Sequence, residues 1–291
     1  MVDISLLLQQ ILNGLFFGGQ LALIAVGFTL IWGVARVLNF AHGAVFMLGT
    51  YSAYFALEFT GSWITAIVLG IVITFFVGYG TELILVRPLR DRREFDIASI
   101  VVTLGLWFVL EHSARIAFTS QQRNVPHMVE GTWNVFGVVI SINRLVIFII
   151  SVAAIATLFG MIKYTKFGLA IRAAAEDSET TKLMGADIHK LYAITFGMSA
   201  ALAGLAGVLL ASIFSVYPSV GNQPFLLAFI VVMVGGLGSV RGTLIAAVVL
   251  ALVRSVAMIW TSAQGALIIL FLFMAAVLIL SPEGIGGWVE S

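Results

Sequence analysis

Apolar runs of about 20 residues, the length that crosses a bilayer, follow one another along nearly the whole chain. They fall at about 6–34, 40–60, 63–86, 97–118, 144–162, 191–213, 225–237, 243–260 and 264–280. The pattern predicts an all-α polytopic membrane protein of about 8–9 transmembrane helices or half-helices. The seventh run is too short to span alone and reads as half of a broken or re-entrant element. The first is overlong, with an interfacial turn expected at its start.

Two polar stretches interrupt this pattern. Arg87 to Asp96 and Lys163 to Lys190 together hold 16 of the 29 charged residues. Charge at membrane depth is expensive, so both stretches belong in water. Two spans separate them, which puts them on one face, and their lysines and arginines mark that face as cytosolic. The cytosolic loops are then about 87–96 and 163–190, and about 119–143 is external. Within the external loop, TWNVFGVVISIN alternates around Phe136-Gly137 like a small hairpin. Counting nine crossings places the N-terminus outside and the C-terminus in the cytosol. No linker, low-complexity tract or fixed-period repeat divides residues 1–291, which read as a single transmembrane domain. The start, MVDIS, has no basic n-region and is expected to be retained rather than cleaved.

The longer polar stretch carries the signature of a short capped helix. Asp177 or Ser178 can cap its first turn, Glu179 sits at the positive end and Lys182 near the negative end, and Gly185 can terminate it. A short structured helix in the cytosol invites a partner.

Composition sharpens the class. The chain is 61% hydrophobic and 10% charged, with mean hydropathy +1.11, where a soluble globular domain carries about 25% charged residues. A net charge of +1, with basic residues in loops and not on one stripe, gives no nucleic-acid footprint, so no nucleic-acid partner is expected. Cysteine is absent, which removes disulfides, thiolate metal sites and cysteine nucleophiles. Glycines at close-packing spacing, Gly14/Gly18 and Gly238/Gly242, favour tight helix contacts.

Three local motifs have competing readings. Asn39-Phe40-Ala41-His42-Gly43 opens the second span, and an intramembrane histidine serves either a pathway or a satisfied structural hydrogen bond. His42, His112, His127 and His189 are scattered without metal-ligand spacing, so no metal site is expected. Glu111 and Arg115 lie four apart on one helical face and read as a structural ion pair. With Glu82 as the one other intramembrane carboxylate, a proton relay is disfavoured. Val234 to Gly242, VGGLGSVRG, lacks the GxxxxGK[ST] pattern of a nucleotide loop and reads as a tight turn between two membrane segments.

Four motifs in order carry a resemblance: NFAHGAVFMLGTY at 39–51, VRPLR at 86–90, FGLAIRAAAEDSETTKLMGADIHKLYAITFGMSAALAGLAG at 167–207 and VGGLGS at 234–239, followed by SPEGIGG at 281–287. Over nearly its whole length the chain resembles the LivH-type permeases of branched-chain amino acid ABC importers. One departure is that Ala44 and Val45 follow the HG, where many relatives carry an acidic or polar residue.

The resemblance implies a bacterial inner (plasma) membrane permease that forms the translocation pathway for branched-chain or related amino acids. Its implied partners are a second permease of the related LivM type, two cytosolic ATPases, an external substrate-binding protein and membrane lipid. The chain would be no enzyme and bind no cofactor itself; ATP and magnesium belong to the ATPases. It also implies that Asn39, His42 and Gly43 belong to the pathway. Ala174, Glu176, Asp177, Leu183, Met184 and Gly185 would couple to the ATPase. Relatives include importers of urea, short amides and other small solutes on the same architecture. An ion-coupled secondary carrier would need several intramembrane carboxylates or inverted repeats, and neither is evident in the sequence.

Overall fold

The computed structural model describes residues 4–135 and 138–286. The Phe136-Gly137 turn and Gly287 of the SPEGIGG tail fall outside them. Eleven α-helices and one two-stranded hairpin make up the regular structure among the described residues, apart from a π/3-10 extension of one helix. The helices are α1 (Ile4–Ala35), α2 (His42–Thr60), α3 (Trp63–Gly80, extended by Thr81–Leu89), α4 (Phe95–Phe118) and α5 (Ile142–Tyr164). They continue with α6 (Lys166–Glu176), α7 (Ser178–Leu183), α8 (Ile188–Leu210), α9 (Asn222–Gly235), α10 (Val240–Ala257) and α11 (Ala263–Leu280). Seven of them, α1, α3, α4, α5, α8, α10 and α11, are long and apolar enough to cross a bilayer. The chain is an all-α polytopic membrane protein.

The two polar stretches lie at one end of the bundle, the basic end. Arg90 Nη1 donates to Ala35 O at the C-terminus of α1 at 3.4 Å, and α6 packs on the same helix. At the opposite, hairpin end, strand β1 (Thr132–Val135) pairs antiparallel with β2 (Val138–Ser141), Thr132 opposite Ser141. Gln9 of α1 exchanges two hydrogen bonds with Val139, at 2.9 and 2.8 Å. Among the described residues no interfacial turn opens α1. The helix is continuous for 32 residues, because its N-terminal turns pack on the hairpin and α10 and have no reason to bend along a membrane surface.

Two helices start inside the bundle. After α1 reaches the basic end, residues 36–41 turn back, and α2 begins where His42 Nε2 donates to Ile24 O at 3.1 Å. Ile24 lies eleven residues before Ala35, roughly 16 Å at about 1.5 Å per residue. From the hairpin end, residues 211–221 turn inward in the same way, and α9 starts beside α2: a Cβ built on Gly221 would lie 1.8 Å from Gly43 O. From this head-to-head start α2 runs to the hairpin end and α9 to the basic end, where Gly238 N donates to Thr29 Oγ1 at 3.2 Å. The short seventh run is thus a half-helix, and the second span has the same character at its start.

The arrangement is an inverted repeat. Helices α1–α4 and α8–α11 trace the same path in opposite directions: α3 packs along α8 as α10 packs along α1, and α2 beside α3 as α9 beside α10. It escapes a search for sequence periods because the halves face opposite sides of the membrane. α1 and α8, largely apolar without a polar face, form the buried centre, while α4, α5 and α11 present Val101, Phe108, Ile149, Ile268 and Leu272 outward.

Small residues allow the central crossings. Gly14 and Gly18 seat α1 against Leu252 and Val248 of α10, and Gly204 seats α8 on Thr74 of α3. Gly221→Ala should therefore force the two half-helices apart and lower stability by at least about 1–3 kcal/mol. Gly105→Ala, which meets open space, should be neutral or slightly stabilising. Thermal unfolding of the two variants in detergent checks the contrast, and equal melting would reject the tight junction.

Candidate functional site

At the basic end the polar stretch folds into two helices where the sequence signals one. Thr165 caps α6 by accepting from Gly168 N at 3.0 Å, and Asp177 caps α7 by accepting from Glu179 N at 3.0 Å and Thr180 N at 3.2 Å. The Thr180 hydroxyl also donates to Asp177. That hydroxyl bond, then the Thr180 and Glu179 amides, hold the Asp177 carboxyl below its ordinary range. A lowered value means the charged cap is intact above about pH 4, the ordinary carboxylate value. It is lost as pH falls through the lowered value. Past Met184, Gly185 takes φ +91° and ends the helix.

The residues assigned to ATPase coupling come together on this elbow with different exposures. Ala174 is buried against the bundle, Glu176 and Asp177 are exposed at the joint, and Leu183 and Met184 project at 86% and 84% exposure. Behind the elbow, Glu82 is buried and pairs with Arg90 at 3.0 Å. The guanidinium of Arg90 also lies 3.9 Å over the Tyr192 ring of α8. The VRPLR segment therefore ties the end of α3 to the first turns of α8, the helix that carries α7.

Asn39, His42 and Gly43 lie together at the start of α2, all buried. Asn39 Oδ1 accepts from Ala41 N at 3.1 Å and shapes the turn. A carbonyl can only accept, so the His42 bond to Ile24 assigns the ring proton to Nε2 and leaves the buried Nδ1 without a partner. Phe28 meets His42 edge-on at 5.7 Å, and Phe28, Phe40, Phe225 and Trp107 gather around the junction. These three residues line neither cavity at the hairpin end. They stand behind the floor of one, because Ile24 holds His42 and also lines that cavity.

The expected Glu111–Arg115 pair forms at 3.0 Å, and Trp107 Nε1 donates to the other Glu111 oxygen at 3.2 Å. VGGLGS is a turn between α9 and α10, closed by Ser239 accepting from Gly242 N at 3.1 Å. Arg254 is the residue the apolar pattern hides. It falls within the run at about 243–260, and a charge inside such a run is itself the signal; it lines both cavities.

Residues 10–281 match the family described as branched-chain amino acid transport system / permease component. The high-affinity branched-chain amino acid transport system permease protein LivH of Escherichia coli K12 is 31% identical, over 97% of this chain and 96% of its own. The corresponding protein BraD of Pseudomonas aeruginosa is 30% identical over 100% and 99%. A probable branched-chain amino acid transport permease protein LivH of Methanocaldococcus jannaschii is 28% identical over 96% and 92%. No solved structure gives a significant match. With the ordered motifs, the helical bundle and a family match over almost its full length, the chain belongs to the permease components of branched-chain amino acid transport systems.

Proposed function

We propose that this chain is one of two permeases in an ATP-driven importer of branched-chain or related small amino acids, which an external binding protein delivers. In this reading the basic end faces the cytosol, since Arg87, Arg90, Arg92, Arg93, Lys163, Lys166, Arg172, Lys182 and Lys190 gather there. The N-terminus is then outside and the C-terminus cytosolic. The observation that carries the reading is the α6–α7 elbow. Two large apolar side chains stand exposed at the tip of a capped helix, a surface suited to cover by a partner.

That partner is one of two ATPases, which hold ATP and magnesium, while the second permease is a related chain. ATP binding shifts the assembly only through its differential affinity for two states. Here the elbow would transmit the shift by rigid-body movement to the helices behind it. Asn39, His42 and Gly43 form the closed middle of the pathway.

The chain has no cysteine, so Met184→Cys in the assembled complex offers a unique cross-linking site on this chain, expected to capture the ATPase. Asp177→Ala should reduce the yield several-fold, and Asp177→Asn, an equally good cap, should retain most of it. Unhindered labelling at position 184 during ATP turnover would reject the coupling role.

His42→Ala is expected to lower uptake while the complex still assembles. Loss of the complex itself would make His42 structural.

An inverted repeat is also found in ion-driven carriers, so the energy source needs its own measurement. Proteoliposomes containing this chain alone should neither hydrolyse ATP nor concentrate leucine, and uptake should require the mate, the ATPases, the binding protein and internal ATP. Leucine accumulation by the lone chain under an ion gradient would replace the importer reading with a secondary carrier.

A further inference from the structure

Arg254 sits three residues from the end of α10, after the uninterrupted apolar run from Leu244 to Val253. Its guanidinium lies 4.6 Å over the Phe17 ring, and its Nε is buried without a hydrogen-bond partner. Among the described residues no carboxylate reaches it; the ion pairs there are Arg90–Glu82 and Arg115–Glu111. An arginine on a membrane helix that faces a cavity and lacks a protein anion is a binding-site signature.

The cavity it lines has a volume of about 390 Å³ and lies between α1, α9, α10 and the inward-turning 211–221 segment. It reaches down to Ile24, Val220 and Leu227, beside the junction of the half-helices. A neighbouring cavity of about 370 Å³ shares Phe17, Gln20, Phe214 and Arg254 and adds Arg144. Neither contains an acidic residue, so the space attracts anions and repels cations. Gln20 is 4% exposed, lines both, and its amide takes no hydrogen bond from the described residues. The remaining wall includes hydrocarbon from Leu21, Ile24 and Leu227. One charged end, glutamine amides and a short apolar wall describe the complement of a small amphiphilic carboxylate.

We propose that this cavity is the outer station at which the permease receives its solute. Arg254 takes the carboxylate, Gln20 and Gln223 hydrogen-bond the polar remainder, and Leu21, Ile24 and Leu227 take the hydrocarbon side chain. The proposal rests on the importer reading and adds the chemistry that the permease itself recognises. Selection is then not left wholly to the binding protein. An anionic lipid headgroup offers the same charge, and the test separates the two sources.

In a complex whose partner chains lack reactive cysteine, Gln122→Cys, on the cavity wall but without a part in solute recognition, is labelled from the hairpin side with matched anionic and cationic methanethiosulfonates. The anionic reagent should react faster, and Arg254→Gln should abolish that preference. Leucine should slow labelling, leucinamide should not, and Arg254→Gln should weaken the leucine effect at least about tenfold, the scale of a lost hydrogen bond to a charged group. Arg254→Lys, which keeps the charge and guards against misfolding, should keep the reagent preference and weaken protection less. The pattern should be the same in vesicles of neutral phosphatidylcholine and in vesicles with phosphatidylglycerol. Protection by phosphatidylglycerol and not by leucine, or leucine protection unchanged in Arg254→Gln, would overturn the proposal. Failure of the intact wild-type complex to import any amino acid with ATP and binding protein present would instead overturn the importer reading.

Discussion

Everything in this fold is arranged around the contact between Gly43 and Gly221, where two helices begin inside the membrane. Irregular backbone at that depth is tolerated only when buried in protein with its polar groups satisfied. The 36–41 segment meets that demand locally and from α4. His42 N donates to Asn39 O at 3.2 Å, and Phe40 N donates to Thr103 Oγ1 at 3.3 Å, whose single proton is shared among Ser99 O, Ile100 O and Leu38 O at 2.9, 3.1 and 3.2 Å. At the other side, Phe225 N donates to Gly221 O at 3.0 Å and starts α9. The His42 bond to Ile24 fastens the junction to α1. A side chain at either glycine would separate the two starts, so the tightness of the crossing and the absence of a Cβ are one requirement.

The same constraint distributes the charges. Glu82 is buried and Arg90 partly so, but they pair with one another through Glu82 Oε1, and Arg90 gains Tyr192 and Ala35 O as further partners. Removing one member of such a pair strands the other and costs about 3–5 kcal/mol. Glu111 has Arg115 and Trp107. Arg254 departs from this rule, since its described neighbours include an aromatic face and no anion. A pattern of paired charges makes the one without an anion informative, and its place against a cavity sets it apart from the structural pairs.

Much of this was readable in the sequence because lipid imposes strong, local rules. Spans, the basic face, the Glu111–Arg115 pair, the Asp177 cap and the Gly185 stop each follow from a few neighbouring residues. Less readable was what depends on distant parts of the chain. The 40–60 run is long enough to span, and although His42 marks a polar point at its start, nothing in it announces that α2 starts at the level of Ile24. The inverted repeat leaves no period because equivalent helices are related by a rotation in space and pack against different surroundings. Arg254 is hidden by the long apolar stretch from Leu244 to Val253 that precedes it. The elbow's second helix was missed because α6 is signalled by Thr165, a capping residue just outside the charged centre of the stretch.

The geometry also bears on how the elbow and the middle of the bundle are linked on the proposed reading. α7 is joined to α8 by residues 184–187 alone. Eleven residues into α8, roughly 16 Å along its axis, Ser199 Oγ donates to Gly27 O of α1 at 2.5 Å. At that same crossing a Cβ on Gly27 would lie 3.2 Å from His42 Cε1. One rigid helix therefore connects the exposed tip to the residue that fastens the half-helix junction, with Arg90 on Tyr192 bracing its first turns. Transmission needs no extended relay of side chains, only a small shift of α8 against α1 at a crossing whose close approach already depends on small residues. Ile24 then connects the junction to the outer cavity, since the carbonyl that holds His42 belongs to a residue of the cavity floor. A displacement begun at Leu183 and Met184 and a solute carboxylate on Arg254 would act on the same short segment of α1, from opposite sides.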